Sequence, residues 1–508
     1  MRPFNLTTLL FLYLMLCVQL KSATANNVLL IIADDLGIDS LTAFNSDPAA
    51  LLPPTPTIDS LRTQGIRFTR YYAYSVCSPT RASILTGRYS FRTGVLSVEN
   101  NTLKPNEFTL PEALLESGVI SNRMACIGKW HLDTDANAPN VIGGWPHFSG
   151  SLGGAIPDYH RWQKTVNGNT TNAYSVYATS DNVNDSIAWT DQQGTNSWFL
   201  WLAFNAPHTP HHRPPNNLHD YDFISDDGAN SSRPHFEAMV QAMDTEMARL
   251  LTHVDLATTT LIFMGDNGTL RGVLQPPFPA THGKGTAYEG GIRVPMIIAG
   301  AAIANGLSGS SYDGPLHACD LYATILELFG VTAEAWVPEQ LQLDSRSFAP
   351  VLRGEAYTRS PPVIMVQSGT GIAAQRSIME DAYKYIDFGG GSQAFYNVTL
   401  DLPEATNLLS GILTVADQTA LHKLQTGLET FKHNPRISSV RLDESNRLNA
   451  TIGWYNHPGL TLWRTESNVS TNWIEVAGQE FKDAGTASLL LRDPSPPAGP
   501  AFYRITAP

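Results

Sequence analysis

Cys77 is followed by Pro79, by Arg81 and by the pair Thr86-Gly87, and this spacing describes a nucleophile at a strand-to-helix turn. The aromatic, β-rich segment from Ile66 to Tyr74 reads as a strand. Pro79 lacks a backbone donor and suits the first turn of a helix, which Ala82 to Leu85 continue and Thr86-Gly87 end. A thiol just before a helix N-terminus meets a dipole that favours negative charge. Arg81, four residues on, lies one turn along the same face and points a cation back at it. A cysteine alone at such a turn is ordinarily a buried structural residue; the residues around this one point to covalent chemistry.

Four further clusters follow strands in the same way. Asp34-Asp35 come directly after the apolar run Val28 to Ala33, and Asp266-Asn267 come after Thr258 to Met264. Strand tips are where open α/β sheets bind ligands, and adjacent oxygen donors there suit a hard divalent cation. A lone Asp-Asp also makes a simple Asx turn. Lys129 and His131 follow a short strand from Arg123 to Ile127; two apart in extended chain, they share a face and can hold an anion and move a proton. Trp198 to Asn205 leads into Ala206-Pro207-His208-Thr209-Pro210-His211-His212. One of these histidines reads as catalytic, while His211 and His212 fit a solvated or metal-scavenging loop better. Lys284 sits in the glycine-punctuated loop His282 to Pro295, where small residues let the backbone approach an anion.

These motifs, in this order, resemble the sulfatases of the arylsulfatase A and N-acetylgalactosamine-6-sulfatase type, formylglycine-dependent enzymes of the alkaline phosphatase superfamily. The resemblance covers roughly residues 27–410. It implies that Cys77 is oxidised to formylglycine by a maturation enzyme and that Arg81 steadies it. Lys129 and Lys284 would hold the sulfate group, His131 would serve the formylglycine hydroxyls, and His208 or Lys284 would assist the departing oxygen. Asp34, Asp35, Asp266 and Asn267 would bind one Ca²⁺, with Mg²⁺ as the alternative. Three carboxylates and an amide are hard ligands of that kind, and two lysines with Arg81 make a positive pocket in an acidic chain. The implied substrate is a sulfated carbohydrate or an aryl sulfate. A formylglycine-dependent phosphonate or phosphodiester hydrolase, and a non-catalytic glycan-binding protein, are the rival readings.

The elements that must position these residues set the expected fold. The chain has 508 residues, enough for several domains. The expectation is an α/β protein: a large mixed, mostly parallel sheet flanked by helices, a smaller antiparallel C-terminal subdomain, and an appended all-β module. The boundaries are a signal peptide at 1–25, a catalytic domain at 26–355, an α+β subdomain at 356–433 and a β module at 434–508, with Asn434-Pro435 as the linker. The signal reading rests on Arg2, the apolar run Leu6 to Leu20 and the cleavage pattern Ala23-Thr24-Ala25, and it implies a secreted or periplasmic protein with no stable membrane span. A net charge of −13 speaks against nucleic acid as a partner. Without the signal, Cys77, Cys126 and Cys319 remain, too few for a disulfide framework, and the last two read as buried and reduced. A long helix is expected from Pro234 to Val254, capped by Ser231 or Ser232, with its methionines in the core. Residues 134–196, rich in Asn, Gly, Ser and Thr, read as long surface loops that carry specificity.

Overall fold

Apolar residues run without a break from Val28 to Ala33 in the strand Asn27–Ala33 (β1), and both faces of this run are buried. Val28, Leu30 and Ile32 join one core; Leu29, Ile31 and Ala33 join the other. Such a strand belongs in the middle of a sheet covered on both sides. In the computed structural model it does. The structure describes residues 27–225, 232–338, 341–359, 364–368 and 374–432, and beyond these the C-terminal strands between 436 and 506.

The next strands after β1 are β2 (Ile66–Phe68), β3 (Tyr71–Tyr72), β4 (Met124–Lys129), β5 (His147–Ser151), β6 (Trp162–Val166), β7 (Asn169–Tyr174), β8 (Trp198–Ala203), β9 (Thr259–Gly265), β10 (Met296–Gly300), β11 (Ser311–Tyr312) and β12 (Leu316–His317). Nine of them join β1 in one ten-stranded sheet, in the order β11-β2-β10-β9-β1-β8-β4-β5-β6-β7. The central run β9-β1-β8-β4-β5 is parallel throughout, and β10, β6 and β7 are antiparallel to their neighbours. Helices Cys77–Thr86, Leu110–Ser117 and Asp320–Leu328 pack on one face, and Pro56–Gln64, Ala178–Asp191 and Arg233–Leu251 on the other. Met239, Met243 and Met247 are core residues of the last helix. Ser232 stands at its N-cap position but makes no side-chain cap bond; its hydroxyl meets His235 Nδ1 at 2.9 Å instead.

Register carries this architecture to the site. Ile32 pairs with Ala203, Ala33 with Gly265, and Gly128 with Ala203. The C-terminal tips of β1, β9, β8 and β4 are therefore level, and the residues after them leave the sheet side by side. Gly128 makes this possible on β4. Its φ is +100°, and a Cβ there would fall 1.9 Å from the Ala203 carbonyl oxygen. Gly128→Ala is expected to cost about 3 kcal/mol through backbone strain and overpacking. Urea unfolding beside the unsubstituted protein measures it; an unchanged midpoint would refute the steric argument.

Two readings of the sequence are corrected here. Ile66 to Tyr74 is not one strand but two short ones, β2 and β3. Residues 134–196 are not mainly loops: they hold β5, β6, β7 and the helix Ala178–Asp191. That helix buries Thr179, Asn182 and Ser186 beside Ala178, Val183 and Trp189. Its inward face is thus as polar as it is apolar, and it shows no helical stripe of hydrophobic residues.

Beyond the ten-stranded sheet, β13 (Ile364–Ser368), β14 (Gln375–Glu380), β15 (Tyr383–Asp387) and β16 (Gln393–Asn397) form an antiparallel sheet, and Leu424 and Leu428 of the helix Val415–Lys432 share a core with Tyr385 and Phe395. The chain ends in a four-stranded and a three-stranded antiparallel sheet. The signal region and Asn434-Pro435 lie outside the described residues. Among the described residues no helix is long and apolar enough to cross a membrane.

Candidate active site

Cys77 is the first residue of a ten-residue helix in which every residue is buried. The helix starts from extended Val76 and ends at Gly87, whose φ of +67° lets its N–H return to the Ser83 carbonyl. Cys77 Sγ lies 3.1 Å from His131 Nδ1, within hydrogen-bonding distance. His131 follows the end of β4 with φ +59°. The chain is therefore not extended here, and the shared face expected for Lys129 and His131 does not form. Lys129 turns to Asp34, with its Nζ 2.5 Å from Oδ2, while His131 turns to Cys77.

The acidic pairs interlock. Asp35 N–H donates to Asp266 Oδ1 at 3.1 Å, and Asn267 Nδ2 donates to Asp35 Oδ1 at 2.8 Å. Lys284 Nζ lies 2.5 Å from Asp35 Oδ1 and 2.7 Å from Oδ2. His208 Nε2 stands 3.8 Å from Asp35 Oδ2. Arg81 does not point directly at the thiol: it donates through Nη2 and Nε to Asp266 Oδ2 at 2.7 and 3.1 Å, and through Nη1 to the Lys129 carbonyl at 2.9 Å. All ten residues singled out in the sequence thus belong to one connected cluster.

Burial and mutual charge set the protonation of the cluster. Burial pushes the Asp34 carboxyl up against the pull of Lys129, and burial with the Asp34 charge takes Asp266 up to about 6. Asp35 is as buried, but Lys284, His208 and Lys129 outweigh that and hold its carboxyl below the usual range. Burial, then Lys129 and Arg81, keeps His131 neutral; burial takes His208 down to about 4 against the pull of Asp35. Burial raises the Cys77 thiol, with Lys129 opposing.

The donor set fits a hard cation. Asp34 Oδ1 and Asn267 Oδ1 are buried oxygens with no hydrogen-bond partner. Ligand atoms of Asp34, Asp266 and Cys77 lie within 4.8 Å of one another, as do those of Asp34, Asp35 and His208. Three carboxylates crowded in a low-dielectric setting repel, and a divalent ion relieves that repulsion.

Sequence reasoning missed several residues here. His211 is not in a solvated loop but buried, and His212 is half-buried and stacked on Tyr159 at 4.3 Å. Asp39, buried behind Gly37, accepts from Thr269 and from the Gln275 N–H. Tyr159 and Asn205 support the His208 loop. Asp39 and Tyr159 lie in no motif; the Gly153-Gly154 pair was the available hint that a backbone passes close to the site.

Fold and site together define an α/β protein with a thiol, a hard-cation donor set and paired lysines at parallel strand tips. The chain belongs to the sulfatase family, whose profile matches residues 26–331. It is 27% identical over 352 residues to arylsulfatase J of Mus musculus, a match covering 63% of this chain and 54% of that protein. It is 28% identical over 335 residues to the uncharacterized sulfatase YdeN of Escherichia coli K12, covering 59% and 57%. The chain thus spans about half the length of these curated relatives. Among solved structures, Ps i-CgsB superposes with a TM-score of 0.67 at 25% identity, over 80% of this chain and 92% of that one.

Proposed function

We propose that this chain hydrolyses sulfate esters through a formylglycine formed from Cys77, with a calcium or magnesium ion held by Asp34, Asp35, Asp266 and Asn267. The observation that carries the reading is the connected cluster of thiol, imidazoles, lysines and orphaned oxygens at the strand tips. As its hydrate, formylglycine supplies one hydroxyl to attack sulfur and a second whose deprotonation releases sulfate. The ion supplies charge neutralisation and polarisation of a sulfate oxygen. Lys129 and Lys284 bind the anionic group. His131, neutral and beside position 77, takes a proton from the hydroxyl there. His208 or Lys284, both facing Asp35, assists the departing oxygen. Arg81 orients Asp266 and Lys129.

The substrate class proposed is a sulfated carbohydrate. Ps i-CgsB has been solved with k-i-k-neocarrahexaose, which supports a glycan substrate for a chain of this fold. The leader at 1–25 makes the protein secreted or periplasmic, matured by a formylglycine-generating enzyme. The module from 434 to 508 holds the enzyme near a polymer, since all the candidate catalytic residues precede residue 290.

The test is sulfate release by protein co-produced with a maturation enzyme, measured on an aryl sulfate and on a panel of sulfated glycans. Turnover is expected on at least one glycan, lost on exhaustive chelation, with about one divalent ion per chain in the purified protein. A chain ending at Lys432 is expected to keep aryl sulfate turnover and to weaken on the polymer. No sulfate release from protein whose aldehyde content is verified would sink the sulfatase reading, and turnover of phosphodiesters alone would put the rival hydrolase in its place.

A further inference from the structure

We infer that one segment, Leu152 to Tyr159, seats both histidines of the site, with Gly154 a positioning residue for His131 and Tyr159 a positioning residue for His208. This rests on the sulfatase reading above. The segment follows β5, and the pairing of β4 with β5 continues past the strand ends: Trp130 N–H donates to the Ser151 carbonyl at 2.9 Å and His131 N–H to the Leu152 carbonyl at 3.0 Å. Two residues on, the backbone of Gly154 closes over the imidazole. A Cβ there would fall 2.3 Å from His131 Nε2 and 2.4 Å from Cε1. No side chain fits between the segment and the ring. The backbone of Gly154 therefore forms a wall on the Nε2 edge that keeps Nδ1 turned to Cys77, 3.1 Å away.

Tyr159 holds the second histidine by its main chain. It is fully buried, and its hydroxyl lies 2.6 Å from the Asn205 carbonyl oxygen and 2.8 Å from the His208 carbonyl oxygen. One phenolic proton is shared between two carbonyls that bracket the tip of the His208 loop. Asn205 is tied again through Nδ2 to Ser151 Oγ at 2.9 Å. The Tyr159 ring also carries the stacked His212, whose Nε2 meets Tyr177 Oη at 3.0 Å. The loop is thus gripped before, at and after His208. With its Nδ1–H donating to the Thr209 carbonyl at 2.7 Å, His208 presents Nε2 to the Asp35 side, where as the imidazolium it carries the proton for the departing oxygen. Aim of that nitrogen depends on where the loop backbone is held, and Tyr159 holds it.

The two roles separate by leaving group. Proton donation to the departing oxygen matters for a poor leaving alcohol and little for an activated phenol, whereas proton removal at position 77 serves every substrate. Tyr159→Phe keeps the ring and the stack and removes only the hydroxyl. It is expected to lower kcat at least about tenfold on a sugar sulfate, to change it less than about twofold on 4-nitrophenyl sulfate, and to leave KM within about twofold on both. Gly154→Ala is expected to lower kcat on both esters alike. Equal losses on the two esters for Tyr159→Phe, or no loss for either variant, would overturn the inference while leaving the sulfatase reading intact. A wild-type protein that hydrolyses neither ester removes the reading and the inference with it.

Discussion

Cys77→Ala is expected to abolish sulfate-ester turnover, by about 10⁶-fold, the scale on which enzymes lose rate when a covalent nucleophile is deleted. The fold is expected to survive. Cys77 opens its helix without contributing a side-chain cap, because extended Val76 stands at the N-cap. Its thiol makes one polar contact, to His131, and no disulfide. Alanine removes a single sulfur atom from a buried position, which costs on the order of 1 kcal/mol. Turnover and unfolding are therefore measured together. Activity retained by the alanine variant would remove position 77 from the chemistry. Inactivity with collapse of the fold would return Cys77 to a structural role. Mass spectrometry of the peptide carrying residue 77 completes the experiment: active wild-type protein with only intact cysteine there would refute the formylglycine.

The second large effect is expected at Asp266. Asp266→Ala removes the carboxylate that Arg81 holds through two donors, at 2.7 and 3.1 Å, with both side chains buried. It also removes one of the three carboxylates proposed for the cation. Breaking a buried ion pair from one side leaves an uncompensated charge and costs about 3–5 kcal/mol. The variant should unfold at clearly lower urea, bind less than one divalent ion per chain, and lose activity by at least about 10³-fold, since the positive groups lose their counter-charge. Asp266→Asn separates the two effects. It keeps a shape that can accept from Arg81, so stability should largely return while metal binding stays impaired. Full metal content in either variant would contradict the proposed ligand set.

The sheet was legible because its central strands are buried on both faces and read as largely apolar runs. β1, β8 and β9 lie within a residue or two of where the sequence puts them. The antiparallel sheet after residue 360 was legible from short alternating runs. The site was legible because its residues cluster at strand tips in short motifs. What escaped was whatever depends on two distant segments meeting. Arg81 was expected to face the thiol, one helical turn away; it turns instead to Asp266, 185 residues further on, which no spacing rule encodes. His131 was treated as extended chain, but its left-handed backbone swings the ring to Cys77. The helix Ala178–Asp191 was hidden because its buried polar residues erase the hydrophobic period on which helix recognition depends.

The complete burial of the Cys77–Thr86 helix has a consequence for the history of each molecule. Any enzyme that alters Cys77 by reading the residues around it needs that stretch as open, extended peptide. In the native state Cys77, Pro79 and Arg81 are all hidden, and the thiol is only 1% exposed. Exposing them means undoing a helix that lies against the core of the largest sheet. The conversion proposed for Cys77 would therefore have a deadline, which is the moment the nascent chain folds. Molecules that missed it would be well-folded proteins carrying a plain thiol in place of the proposed nucleophile. The yield of converted protein would then be set by a race during synthesis between two rates, and the same stability that holds the cluster in place would close the window.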